Sequence, residues 1–300
     1  MRPVILDTDI GTDVDDILAL VLLAKSPDLR ILGVTTVYGD TVLRAKMAKA
    51  TCAMLDQSEI QVIPGASRPR SGRQVYWAGF EGEGIPNLDG FSVDESQSAE
   101  SYLTQSAKRL NGELEILAIG PLTNIANAIL SSVDFGRQVK HLYIMGGSFW
   151  KERYEHNIRC DVDSARIVLS SGMKITAVGL DLTTRVWLGE KDVRRIAAIP
   201  GPLGAVLEDQ IRTWWEYRGI NENHPHDPLA ALTMVRPDLF LFEECDVVVG
   251  MSKPELGWTK VTNRGHGTIR IASDVLVRTA EKEIVDRIVG QGSAVSVTAG

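Results

Sequence analysis

Short apolar segments alternate with longer amphipathic segments along most of the chain. The short segments predict strands at 4–6, 31–37, 61–63, 114–119, 141–145 and 175–180. Apolar residues at helical spacing predict helices at about 14–26, 41–56, 97–110, 121–132, 162–171, 203–218, 227–236 and 275–289. This alternation is typical of βαβ units and predicts an α/β fold. We expect one large domain, 1–290, with a mainly parallel central sheet, helices on both faces and a Rossmann-like core. Residues 291–300 are expected to form a flexible tail.

Polar or glycine-containing turns follow four of the predicted strands. They are an aspartate-rich segment at 7–16 and the turns at 38–40, 120–124 and 145–147. Because ligands of such sheets bind at the carboxyl ends of the strands, these turns predict one common site. A stretch rich in Gly, Ser and acids at 66–100 is a candidate loop over that site.

The aspartate-rich segment contains five carboxylates within ten residues, in the sequence DTDIGTDVDD. Carboxylates held close together raise one another's pKa, and a hard cation such as Ca²⁺ or Mg²⁺ relieves their repulsion. The alternative is a solvated loop whose acids cap the helix that follows. One or two aspartates would fit that alternative, whereas five beside turn residues favour a metal site.

Composition narrows the classes of function. At 300 residues and 44% hydrophobic, the chain can bury a large core. A net charge of −7 without a basic stripe argues against nucleic-acid binding. No apolar run approaches the roughly 18–20 residues that span a bilayer, and the first residues lead directly into a strand, so we expect neither a membrane segment nor a signal peptide. Cys52, Cys160 and Cys245 are too widely spaced for a disulfide framework, which is consistent with a cytoplasmic location.

Several motifs, in order, resemble those of one enzyme family: DTDIGTDVDD, AIGPLTNIA, the MGG after a strand, EHNI followed by DVDSA, and HDPLAAL. Together they resemble the inosine-uridine-preferring nucleoside hydrolases, from about residue 3 to residue 289. The resemblance implies calcium-dependent hydrolysis of the N-glycosidic bond of a small ribonucleoside, which releases free base and ribose. It also implies a homodimer or homotetramer.

The resemblance assigns roles to individual residues of this chain. It implies that Ca²⁺ is bound by Asp7, Asp16, Asp227 and the backbone carbonyl of Thr123. Asp9 resembles the general base that takes a proton from a calcium-bound water, and His226 occupies a position linked to protonation of the leaving base. The expected substrate-binding residues are Asp15, Asp40, Glu155, Asn157, Met145, Glu81 and Trp214.

Some positions depart from the family pattern, so the resemblance does not identify which base is released. The opening motif has two extra residues, so Asp13 is an alternative ribose or metal ligand. Asp40 stands where Asn is common, and Glu81 stands where members that accept purines or pyrimidines often have His. The segment 145–155 is short and lacks a Gly-Asn pair. Trp214 could stack on the base, although a helical aromatic is more often part of the core.

Two other classes of protein compete with this interpretation. A phosphatase of the haloacid dehalogenase type is suggested by Asp7-Thr8-Asp9 after a strand, but Gly11 occupies a position where that family has Thr or Val. A catalytically silent nucleoside- or ribose-binding protein on the same fold is the other alternative. The presence of both Asp9 and His226 argues against it.

Overall fold

The computed structural model describes residues 1–292. Within them, strands run over β1 Arg2–Thr8, β2 Leu29–Thr36, β3 Gln61–Pro64, β4 Leu114–Ala118, β5 Val139–Met145, β6 Ile175–Val178, β7 Leu188–Gly189, β8 Glu222–Asn223, β9 Phe240–Val249, β10 Thr259–Thr262 and β11 Ile269–Val275. The part of the expected tail at 293–300 lies outside the described residues.

The helices of the same range are α1 Asp15–Ala24, α2 Thr41–Met54, α3 Ala99–Leu110, α4 Thr123–Ser131, α5 Phe135–Gln138, α6 His156–Cys160, α7 Val162–Leu169, α8 Leu180–Thr183, α9 Glu190–Ala197, α10 Pro202–Arg218, α11 His226–Val235 and α12 Val277–Ile288. Short 3₁₀ turns occupy Leu88–Gly90 and Pro237–Leu239. None of the described helices is both long enough and apolar enough to span a bilayer.

Nine of the strands form one sheet in the order β10-β9-β11-β6-β5-β4-β1-β2-β3. Neighbours from β11 to β3 pair in parallel, and β9 and β10 extend one edge in antiparallel pairing. The predicted α/β fold with a mainly parallel sheet is confirmed. Every predicted strand and helix is present, with ends that differ from the prediction by at most two residues.

The sequence analysis missed the antiparallel edge, β9 to β11. Its strands are only partly buried. In β9 only Phe240, Cys245 and Val249 are buried, and the exposed or half-buried positions between them include Glu243, Glu244 and Asp246. A strand with many acids on its exposed face lacks the continuous apolar run that marks the buried parallel strands. The short helices α5, α6, α8 and α9 were missed because their periodicity extends over too few residues.

The order of the strands places a crevice beside β1. From β1 the chain continues to β2 and β3 on one side, and the later strands β4, β5 and β6 lie on the other side. In a parallel sheet, ligands bind at the carboxyl ends of the strands where the order reverses. That point lies between β1 and β4, where Asp7 pairs with Ala118.

Two internal helices point toward this crevice. All residues of α1 from Asp15 to Leu23 are buried, and so are all residues of α11 from Asp227 to Val235. The two helices pack against each other. Because both are enclosed by the core, the acids in their first turns are buried as well.

Asn124 holds three chain segments together beneath the crevice. It is 1% exposed, and its Nδ2 donates to Asp7 Oδ2 at 2.8 Å and to the Thr36 carbonyl at 3.0 Å. Its Oδ1 accepts a hydrogen bond from the Ala66 amide at 2.9 Å. One side chain therefore joins the ends of β1 and β2 to the loop that follows β3.

Replacing Asn124 with Ala leaves buried polar groups unpaired, so we expect the free energy of unfolding to fall by about 2–4 kcal/mol. Urea titration followed by circular dichroism measures the change. Asn127→Ala is the matched control, because Asn127 accepts only one exposed hydrogen bond, from Arg70 at 2.7 Å. Equal losses of stability in the two variants would contradict this account of Asn124.

Candidate active site

Three buried aspartates lie together at the crevice. Ligand oxygens of Asp15, Asp16 and Asp227 are all within 4.8 Å of one another, and the three residues are 3–4% exposed. The amide of Asp227 also donates to Asp15 Oδ2 at 3.2 Å. The group combines neighbouring residues of α1 with a residue that is more than two hundred positions away, as the motif order predicts.

Burial opposes ionisation of these acids. It raises the pKa of Asp15, Asp16 and Asp227 well above the ordinary value of an aspartate, and the neighbouring carboxylates raise it further. Asp9 is among the charges that raise the pKa of all three residues, so it faces the same group. An all-oxygen set of this kind suits a hard cation, whose charge would stabilise the ionised forms.

Arg44 supports the segment that carries Asp9. Its side chain is 1% exposed, and its Nη1 donates to the carbonyl of Asp9 and, at 2.6 Å, to that of Ile10. Its Nε donates to the Tyr38 carbonyl at 2.7 Å. Burial raises the pKa of Asp9, and Arg44 and His156 partly oppose this rise. The guanidinium thus fixes the backbone of the acid loop and offsets part of its charge.

A cavity of about 630 Å³ opens above the acids. Of the predicted site residues, the structure brings together on its surface Asp9, Asp15, Asp16, Asp227, Met145, Glu155, Asn157, Trp214 and His226. Asp13, the alternative ligand, also lines the cavity.

Glu155 and Asn157 form one wall through their own hydrogen bonds. The two carboxylate oxygens of Glu155 accept from the amides of Asn157, Ile158 and Gly147 at 2.8–3.1 Å, so this residue caps the short helix α6. The Asn157 amide group donates to the Ile119 carbonyl at 2.7 Å and to the Met145 carbonyl at 3.2 Å. Both side chains are therefore held in place before any ligand binds.

Four predicted site residues do not line the cavity: Asp7, Asp40, Glu81 and Thr123. Asp7 is fully buried and is not part of the three-aspartate group. Its Oδ2 accepts hydrogen bonds from Thr35 and Asn124, and its Oδ1 has no hydrogen-bond partner among the described residues. Asp40 caps α2, accepting from the Leu43 amide at 2.9 Å.

Glu81 and Thr123 are hydrogen-bonded to other segments of the chain. The Glu81 carboxylate accepts hydrogen bonds from the Ala78 and Gly79 amides and from the Thr12 hydroxyl, at 2.7–2.8 Å. Its oxygens therefore tie the loop after β3 to the acid loop instead of facing a base. The Thr123 hydroxyl donates to Asp161 Oδ2 at 2.7 Å.

His226 begins α11 at the edge of the acid group. Its Nδ1 lies 2.6 Å from the Thr183 hydroxyl oxygen. Burial lowers its pKa to about 3, and His224, Arg153 and Arg218 add to this effect. The ring is therefore neutral at neutral pH. A proton that it delivered to a leaving base would come from neutral imidazole, which is a far weaker acid than imidazolium.

Several cavity residues were not singled out from the sequence: Arg44, Arg73, Gln74, Tyr76 and Arg159. Arg73 to Tyr76 belong to the candidate loop at 66–100, and the Tyr76 hydroxyl is hydrogen-bonded to that of Tyr217 on α10. Arg44 had a usable signal, because it is a charged residue at a buried position of α2. The others are surface residues whose meeting depends on the tertiary structure.

Comparison with known proteins identifies the family. A family model described as inosine-uridine preferring nucleoside hydrolase matches residues 4–286. Uridine nucleosidase 1 of Arabidopsis thaliana is 32% identical over 256 residues, which are 80% of this chain and 76% of that protein. The pyrimidine-specific ribonucleoside hydrolase RihA of Shewanella oneidensis is 31% identical over 278 residues, 86% of each protein.

Solved structures agree with this match. A purine-preferring ribonucleoside hydrolase from Gardnerella vaginalis superposes with a TM-score of 0.86 at 26% identity, covering 97% of this chain and 99% of that one. A plant nucleoside hydrolase, PpNRh1, gives a TM-score of 0.85 at 25% identity, with coverages of 96% and 99%. The phosphatase alternative depended on the first few residues alone, whereas this likeness extends over the whole domain. The chain therefore belongs to the inosine-uridine-preferring nucleoside hydrolase family and is a nucleoside N-ribohydrolase.

Proposed function

We propose that this enzyme hydrolyses ribonucleosides in a Ca²⁺-dependent reaction in which Asp9 is the general base. The observation that carries the proposal is the group of three buried aspartates next to Asp9 on the floor of the cavity. Uridine is the first substrate to test, because relatives above 30% identity are named uridine nucleosidase and pyrimidine-specific hydrolase.

The donor set fits Ca²⁺. Asp15, Asp16 and Asp227 offer only carboxylate oxygens, without the Cys or His that a typical zinc site requires. Ca²⁺ accepts six to eight oxygen ligands in flexible geometry, which leaves positions for water and for ribose hydroxyls. Asp7 was expected among the ligands, but its hydrogen bonds to Thr35 and Asn124 support a role in holding the acid loop from behind.

In this proposal the chemistry depends on the carboxylates near C1′, the ribose carbon that is bonded to the base. When bound, a divalent cation supplies a water of lowered pKa. Asp9 accepts the proton of the attacking water, and the buried carboxylates stabilise the oxocarbenium-like centre that forms as the C1′–N bond breaks. Because burial already raises the pKa of Asp9, its carboxylate is a stronger base than an exposed aspartate.

Sugar and base are held by different walls. In this proposal Glu155 and Asn157 bind the far side of the ribose, and Asp15 binds its 2′- and 3′-hydroxyls. Trp214 and His226, from α10 and α11, lie where the base would be. Trp214 is 7% exposed, so it combines a core position with one edge toward the cavity.

Location and assembly remain predictions. Cys52, Cys160 and Cys245 are all buried free thiols, which supports the predicted cytoplasmic location. The predicted homodimer or homotetramer is tested by size-exclusion chromatography with light scattering.

Calcium dependence is tested by titrating the chelator-treated enzyme with Ca²⁺ while free ribose is measured with uridine as substrate. We expect activity to be lost on chelation and restored by Ca²⁺, and calorimetry to show one ion per chain. Asp227→Asn removes the negative charge of one of the ligands and should weaken Ca²⁺ binding by at least about tenfold. Asp40→Asn, on the exposed cap of α2, is the control. Activity that persists in excess chelator would exclude the calcium proposal.

The role of Asp9 is tested by Asp9→Asn, which keeps the size of the side chain but removes the proton acceptor. We expect kcat to fall by at least about 100-fold while KM changes much less. Asp13→Asn, in the same loop, should cause a smaller loss. If the Asp13 variant is the more impaired of the two, the base has been assigned to the wrong aspartate.

The position of Asp9 depends on Gly120 at the end of β4. A Cβ atom at Gly120 would lie 2.7 Å from Asp9 Oδ1 and 2.8 Å from Val37 Cγ1. Gly120→Ala therefore displaces the base, and a shift of about 1 Å in a catalytic group costs on the order of 100-fold in kcat. Gly189→Ala is the control, since no atom lies within 4 Å of its added Cβ. Equal kcat values in the two variants would contradict the proposed dependence.

A further inference from the structure

Three arginines on the cavity surface have no acidic partner. Arg73, Arg159 and Arg218 all line the cavity. Within residues 1–292, none of them forms an ion pair, whereas Arg195, Arg212 and others on the surface pair with Asp or Glu. Unpaired guanidinium groups that meet in one cavity of an acidic protein indicate a ligand with negative charge.

Arg159 is held with its donors available. It is half-buried, and its guanidinium carbon lies 3.7 Å from the centre of the Tyr154 ring. Tyr154 is paired with Trp258 in an antiparallel bridge, and Gly257 packs against the Arg159 backbone. Stacking occupies the face of a guanidinium and leaves the N–H groups on its edge free to bind an anion.

Arg73 is carried to the same place by a loop that is anchored at both ends. The amides of Arg70 and Ser71 donate to the Asp161 carboxylate at 2.8 and 3.1 Å, and the Tyr76 amide donates to the Tyr38 hydroxyl at 2.8 Å. The Ser71 hydroxyl also donates to the Cys160 carbonyl at 3.3 Å, which holds the loop against the end of α6 two residues before Arg73. Arg73 is therefore carried near the end of the helix that contains Arg159.

Arg159 lies at the ribose wall, and the loop that carries Arg73 is bonded to the end of the same helix. Arg159 is in α6, the same short helix that Glu155 caps and that contains Asn157. Arg218 is separate, with its guanidinium carbon 5.0 Å from the centre of the Trp214 ring on α10. An anion held by Arg73 and Arg159 would thus be attached to the sugar.

We propose that the preferred substrate is a nucleoside 5′-monophosphate whose phosphate is bound by Arg73 and Arg159. This inference rests on the proposed function. A phosphate on the 2′- or 3′-oxygen would meet the aspartate group, so the 5′-oxygen is the remaining position on the sugar. A phosphate monoester carries about −1.5 to −2 charges and three acceptor oxygens at neutral pH, which suits two guanidinium forks.

The reaction leaves the phosphate ester intact. The C1′–N bond breaks and the base leaves with the bonding electrons, while the oxygen of water bonds to C1′ and one proton of that water goes to Asp9. The departing base takes up a proton from solvent, and Asp9 returns its proton to solvent. The products are free base and ribose 5-phosphate. The phosphate supplies binding energy that is remote from the bond that breaks.

The experiment compares kcat/KM for uridine and inosine with that for UMP and IMP. We expect kcat/KM for each monophosphate to be at least about tenfold higher than for its nucleoside. This ratio of monophosphate to nucleoside should fall by about 10- to 100-fold in the double variant Arg73→Gln/Arg159→Gln. Arg70→Gln, in the same loop but outside the cavity, should leave the ratio unchanged. Calorimetry of the Ca²⁺-treated protein with ribose 5-phosphate and with ribose gives a binding readout without turnover, and melting temperatures of all variants report on folding.

The outcomes separate this inference from the proposed function. Cleavage of uridine or inosine with no preference for the monophosphate overturns the inference and leaves the proposed function standing. If none of the four is cleaved, both fail. A preference for orotidine over uridine that is lost in Arg218→Gln, without a preference for UMP, overturns the inference in favour of an acidic base. A monophosphate preference that survives in the double variant also overturns the assignment to Arg73 and Arg159.

Discussion

The central physical constraint on this molecule is the burial of mutually repelling carboxylates at the ends of two core helices. α1 and α11 are buried along most of their length, so Asp15, Asp16 and Asp227 meet solvent only through the cavity that they line. Protonation or a bound cation relieves most of their repulsion. The N-terminal dipoles of the two helices and the charge of Arg44 reduce the repulsion. Folding and ion binding are therefore linked: an ion that binds only the folded chain stabilises that chain.

The parts of the structure that local pattern determines could be predicted well. The parallel strands are continuous apolar runs and most helices have full periodicity, so their positions and the α/β fold follow from the sequence. The acid motif and the distant His226-Asp227 pair likewise identify the site before any coordinates are known. Each of these features depends on residues within one segment or on a known order of segments.

Other features depend on side-chain partners that no local pattern contains. Glu81 was expected near the base, but two backbone amides of its own loop and the Thr12 hydroxyl occupy its oxygens. Asp40 caps a helix, and Asp7 lies one layer below the cavity. Arg73 and Arg159 are 86 positions apart in the sequence, and only the folded loop brings them to one cavity. Contacts of this kind, between residues that are distant in the sequence, follow from tertiary packing.

The packing of α1 against α11 also constrains how the chain is made. The ribosome produces α1 near the beginning of synthesis and α11 in the last third, so the first two aspartates of the ion site exist long before the third. Until then the face of α1 that packs on α11 is uncovered, although β2 and α2 already contact other parts of the helix, and a nascent chain that ends before α11 lacks the third aspartate. The fold is thus dominated by contacts between distant parts of the sequence, which are slow to form. A chain that has not yet reached α11 therefore exposes the apolar face of α1 that α11 later covers, and exposed apolar surface favours aggregation.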